Sequence, residues 1–149
     1  MHIPLISPLL KLVTALINSL SSRAIRRAEA CRDFRETFNR ELQGLYPMPS
    51  NWPKGTGIEP RLRAVFPALQ AAVATFRPYV PEKEQARFDE AWLNYHTSTK
   101  RAIDQDYTHY MNMTSTTSNS FGGETVIPAD GKAQFRRNVD RLLAFARDV

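Results

Sequence analysis

The sequence predicts an all-α fold, an irregular bundle of four to five helices, and three patterns carry that prediction. Phe66, Leu69, Val73 and Phe76 recur at helical spacing; after a break at residues 77–81, Phe88, Trp92 and Tyr95 follow at i, i+4 and i+7. Upstream, one apolar arc runs from Ile6 to Leu45 without a phase slip, and no Pro or Gly lies between Pro8 and Gly44. Downstream, Phe135, Val139, Leu142 and Ala146 form a last apolar face behind Asp130, a residue suited to an N-cap. Aromatic stripes of this kind build a helical core and carry no chemistry of their own.

The chain of 149 residues is 42% apolar, enough to bury one core as a single domain over residues 1–149. Its one cysteine, Cys31, leaves no intrachain disulfide and no CxxC site, and suits a reducing, cytoplasmic compartment. The net charge of +5 is carried mostly by arginine, which binds carboxylates, phosphates and aromatic faces. That balance is compatible with nucleic acid, anionic lipid or an acidic protein, and selects none of them.

Residues 1–22 form an amphipathic segment. Ile6, Leu9, Leu10, Val13, Leu16, Ile17 and Leu20 share one helical arc, and Ser7, Lys11, Thr14 and Asn18 share the opposite one. The segment lacks a basic start and a small-residue cleavage site, which argues against a secretory signal. Lys11 near its centre argues against a spanning helix. The arc continues through Ala24, Ala28, Cys31, Phe34, Phe38 and Leu42, which predicts one helix of about 50 Å, longer than a small bundle covers. Three arrangements would cover the excess: a fold-back at Ser21 and Ser22, pairing with a second copy along a seam that Arg27 and Glu41 interrupt, or contact with a membrane. Arg23, Arg26 and Arg27 follow the apolar segment, as a cytoplasmic anionic surface would require, although Glu29, Asp33 and Glu36 dilute the charge further on.

Residues 46–57 hold three prolines and two glycines and read as an irregular connection. Lys54, Gly55, Thr56 and Gly57 lack the spacing of a phosphate loop. Pro60 suits a first helical turn, and Pro67 is expected to kink or restart the helix there. Past Tyr95, either the helix continues through Ala102, Ile103, Tyr107 and Tyr110, or it breaks near Thr97. Residues 113–131 read as a flexible Ser/Thr-rich loop holding a brief extended piece at 125–127.

The residue types of metal sites cluster only at His96, Asp104, Asp106 and His109, but Asp104 and Asp106 do not share a helical face. Glu82, Glu84, Asp89 and Glu90 suit the start of a helix better than acid–base work. Cys31 sits on the apolar face as a small core residue. Three Phe-Arg pairs, at 34–35, 76–77 and 135–136, predict an aromatic anchor beside an arginine that meets an acid at the core boundary.

With these residues placed, the chain resembles a group of small bacterial helical proteins with an amino-terminal hydrophobic segment. The shared patterns are F-R-x-x-F-x-x-E-L at residues 34–42, A-V-x-x-F-R-P at 72–78, F-x-x-A-W-x-x-Y at 88–95 and L-L-x-F-A at 142–146. The resemblance spans most of the chain outside the Ser/Thr-rich loop and implies a membrane-facing first segment, from which Lys11 departs. It implies no activity and no catalytic residue.

The expected function is a non-enzymatic helical interaction or scaffold module without cofactor or metal, at the cytoplasmic face of a membrane. Its expected contact residues are Leu9, Leu10, Val13, Leu16, Ile17, Leu20, Arg23, Arg26 and Arg27. The expected partners are an anionic membrane surface, another protein or a second copy. The alternatives are a nucleic-acid-binding protein that uses Arg-rich helices and, behind it, an enzyme with a site around residues 96–109.

Overall fold

The computed structural model describes residues 6–99, 104–111, 114–118, 124–128 and 130–147. Among them are four α-helices: α1 (Ile6–Glu41), α2 (Ile58–Phe76), α3 (Glu82–His96) and α4 (Gly131–Leu143). Short 3-10 turns stand at Arg77–Tyr79, Thr108–Tyr110 and Ala144–Ala146. The packed body is all-helical. Two strands, β1 (Thr114–Ser118) and β2 (Glu124–Pro128), pair antiparallel with Thr116 opposite Val126. The expected Ser/Thr-rich loop therefore supplies a strand, and the expected extended piece at 125–127 lengthens into its partner. β-branched threonines suit an extended ribbon, where backbone groups find cross-strand partners.

α1 is continuous through Ser21 and Ser22, which overturns the fold-back. Serine inside a helix costs only a few tenths of a kcal/mol relative to better formers, too little to break it where nothing else pulls the chain away. α2 starts at Ile58 and stays helical through Pro67, so the expected restart does not occur. The missing N–H and ring clash cost about 3 kcal/mol. Burial of Ile58 and Leu62 before the proline, and of Leu69, Val73 and Phe76 after it, holds both halves in place. α3 ends at His96, and Thr97 turns extended while its hydroxyl donates to the Leu93 carbonyl at 2.9 Å. The Asp106 amide donates to the His96 carbonyl at 2.8 Å, returning the chain to the helix end. Ala102 and Ile103, on which the expected continuation rested, lie outside the described residues. α4 opens on its expected cap, with Asp130 accepting from the Ala133 amide at 3.1 Å.

The core is aromatic. Phe34 of α1 stacks on Phe76 of α2 with ring centres 4.5 Å apart and lies 5.9 Å from Phe88 of α3. Phe38, one turn on, meets Tyr95, which also touches Trp92, Tyr107, Tyr110 and Phe135. The expected hairpin of α2 and α3 is held by ring contacts, Phe66 on Trp92 at 5.5 Å and Phe76 on Phe88 at 5.7 Å. Arg77 and Asp89 close it with two hydrogen bonds of 2.7 and 2.8 Å, and the guanidinium holds the Asp89 carboxyl below the usual carboxylate range. Cys31 is buried among these groups, as expected of a small core residue.

One polar network fixes the segment after α3. Buried Asn138 of α4 donates to the Tyr110 hydroxyl at 2.8 Å and to the Asn94 carbonyl at 3.1 Å, and Tyr110 donates to the Tyr95 carbonyl at 2.7 Å. Gly131 lies directly against the Tyr110 backbone, and a Cβ there would collide with its carbonyl. Gly131→Ala is expected to lower the unfolding free energy by about 1–3 kcal/mol, because backbone must move to admit the methyl group. The neighbouring exposed Lys132→Ala should change it by less than about 0.5 kcal/mol. Urea unfolding of the two variants against the parent checks this.

Candidate functional site

α1 is half covered and half bare. Residues 8–26 are all exposed, and Arg27 is the first residue after them that is even half-buried. Leu9, Leu10, Leu12, Val13, Leu16, Ile17, Leu20 and Ile25 are between 47% and 69% exposed. The bare stretch is about 30 Å long at 1.5 Å per residue. On steps of about 100°, its arc is the one that buries Cys31, Phe34, Phe38 and Leu42 farther along the same helix. The apolar face therefore leaves the body unpartnered. Of the expected contact residues, Leu9, Leu10, Val13, Leu16, Ile17, Leu20, Arg23 and Arg26 are all exposed on this stretch, and Arg27 stands at its base. Leu12, outside the expected arc, is bare as well and widens the apolar surface, while Ile25 is bare on the polar back. No helix among the described residues is long and apolar enough to cross a membrane.

Two concavities adjoin the root of the bare stretch. A groove of about 440 Å³ between α1 and α2 is floored by Ala68, Ala72 and Phe76, and its charges balance, Arg26 and Arg40 against Glu29 and Asp33. The second, about 610 Å³, lies where α1, α3 and the end of α4 meet. Arg27, Arg87, Arg141 and Arg147 line it with Glu84 and Glu90, over a floor that includes Ala91 and Phe145. The guanidiniums of Arg27, Arg87, Arg141 and Arg147 make no ion pair with the described residues. Arg32, by contrast, is engaged at 3.5 Å with Asp33 and 3.9 Å with Glu36, as a solvated face provides. Arg87, Arg141 and Arg147 had no signal in the sequence, because three separate elements deliver them to one place.

The other sequence candidates have structural work. Among the described residues, no group of three or more His, Cys, Asp or Glu side chains converges as metal ligands. Asp106 accepts from the Ser98 hydroxyl and from the Thr108 amide, which hold its carboxyl below the usual range. His109 Nε2 lies 3.1 Å from the Asn94 carbonyl, and His96 packs against Phe66 and Trp92. Of the acids at the start of α3, Asp89 is taken by Arg77. The Phe-Arg pairs behave as expected at two sites, with Arg77 on Asp89 at 2.7 Å and Arg136 on Asp140 at 3.9 Å. Asp140 also accepts from the Tyr46 hydroxyl at 2.6 Å, and burial with that bond pushes the Tyr46 phenol up to about 12.

Burial lowers the pKa of both His96 and His109 below the ordinary histidine value. The folded protein therefore binds fewer protons than the unfolded chain from about pH 6.5 down to those lowered values, and stability must fall as pH falls through that window. Asp106 adds a separate loss below about pH 4, where its carboxylate is protonated out of its hydrogen bonds. Thermal melts between about pH 7.5 and 2 should show two descending steps, and His109→Gln should flatten the upper one.

No family model, curated protein or solved structure matches the chain, so its own geometry carries the functional reading.

Proposed function

We propose that the protein is a non-enzymatic helical interaction module whose bare α1 stretch rests on the cytoplasmic face of an anionic membrane. The observation that carries this reading is the unpartnered apolar face of residues 8–26 joined to unpaired arginines at its root. An apolar stripe with a polar back of Lys11, Thr14 and Asn18 suits a helix lying in the interface plane. Arg23, Arg26 and Arg27 then stand near the headgroups, where each basic residue adds about 1 kcal/mol on a negative leaflet.

Charge favours lipid over a second copy. The first acidic residue of the chain is Glu29. Two bare stretches packed in parallel would bring both sets of arginines together, and an antiparallel pair would find no carboxylate on either segment. A negative leaflet supplies the missing counter-charge without asking the chain for acids. The width of the apolar face points the same way, since Leu12 borders the arc about 40° beyond Leu16 instead of leaving a narrow seam.

Co-sedimentation with vesicles containing phosphatidylserine tests the reading. The full chain should pellet with them, and part of the binding should survive high salt because it rests on apolar burial. Leu9→Glu combined with Leu16→Glu should reduce binding about a hundredfold or more, as each buried leucine contributes roughly 1.5–3 kcal/mol. The same pair should leave the unfolding free energy within about 0.5 kcal/mol of the parent, because neither side chain touches the core. A chain that ignores vesicles and sediments as a dimer through these leucines would replace the membrane with a second copy.

A further inference from the structure

We infer that the cavity lined by Arg27, Arg87, Arg141 and Arg147 receives the phosphomonoester headgroup of an anionic lipid on which the bare stretch of α1 rests. The inference builds on the membrane reading and names the lipid chemistry that reading leaves open. Position is the first argument. At about 100° per residue, Arg27 falls within about 20° of Leu9, Leu16 and Leu20 on the α1 wheel, so the leucine face runs straight into the cavity. A leaflet covering that face would present its headgroups at the arginines.

Availability is the second. The four guanidiniums have no ion pair among the described residues, whereas Arg63, Arg77 and Arg136 each hold a carboxylate. They come from α1, α3, α4 and the segment after the turn at Ala144–Ala146, and meet at one cavity without an ion pair among them. Charge is the third. Four arginines against Glu84 and Glu90 leave the lining with two positive charges in excess. A phosphomonoester carries about −1.5 to −2 at neutral pH and offers three terminal oxygens, each able to accept from a guanidinium fork. A diester offers two oxygens and one charge, and a carboxylate-bearing headgroup places its charge on a group of different shape.

The test uses the full chain and phosphatidylcholine vesicles containing either phosphatidic acid or phosphatidylserine, matched in surface potential. The parent should bind the phosphatidic acid vesicles about tenfold more tightly or better, since a bidentate charge-assisted contact is stronger than diffuse attraction. Arg87→Gln combined with Arg141→Gln should lose that preference and keep the binding seen on phosphatidylserine. Both arginines are exposed and outside α1, so neither the core nor the leucine face is altered; the single variant Arg147→Gln should lose part of the preference independently. Equal binding of the parent to the two vesicles overturns the inference, as does a double variant that weakens on both alike. Saturable uptake of inorganic phosphate by these arginines without vesicle binding, or retention of DNA in place of vesicles, also overturns it. Binding that needs Leu9 and Leu16 but ignores headgroup chemistry removes this inference alone, whereas no binding to any vesicle removes the membrane reading with it.

Discussion

The stack of Phe34 on Phe76 is the contact on which the rest of the molecule depends. It lies one turn past Cys31, where the apolar arc of α1 stops being solvent-facing and becomes core. From there Phe38 and Leu42 carry the same arc into the aromatic layer that separates α2 from α3. Burial of large rings, each worth several kcal/mol, fixes the inner half of α1 in position and orientation. Because a helix is stiff over this length, it fixes the direction of the outer half too.

That constraint joins the body to the exposed surface. The arc cannot turn away from solvent without rotating Phe34 and Phe38 out of the core, so the leucines beyond Arg27 stay bare along one line. The packing of α3 and α4 against α1 is what gathers Arg87, Arg141 and Arg147 around Arg27. Asn138, bridging Tyr110 and the Asn94 carbonyl, holds α4 to the end of α3 and so helps set that spacing. A polar network inside the core thus supports a charged cluster at its edge.

The histidines and the tyrosines around them belong to the structure rather than to chemistry. His96 and His109 are held neutral by burial, and Tyr95 and Tyr110 are pushed well above the ordinary phenol value by the same cause. Together these rings form the seat on which the segment leaving α3 packs. Among the described residues, the residue types suited to a metal site sit close in sequence without converging: Asp106 is held by Ser98 and Thr108, His109 Nε2 faces the Asn94 carbonyl, and His96 packs on Trp92.

The amino-acid sequence by itself determined the helical class, the hairpin of α2 and α3, the Asp130 cap and the continuous apolar arc, because each is a local pattern with one spacing. It also placed Leu9, Leu16, Leu20 and Arg27 on one face, which follows from helical geometry alone. Local rules misjudged the Ser21–Ser22 step, where serine's small intrinsic cost leaves the helix unbroken, and at Pro67 burial on both sides keeps α2 from restarting. They could not choose between a helix and a loop after Tyr95, since Tyr107 and Tyr110 are recruited by long-range contacts with Tyr95 and Asn138. Only the tertiary structure decided that the first half of α1 stands free and that four arginines from separate elements share one cavity. Both depend on where one helix lies against another, a quantity that no single stretch of sequence encodes.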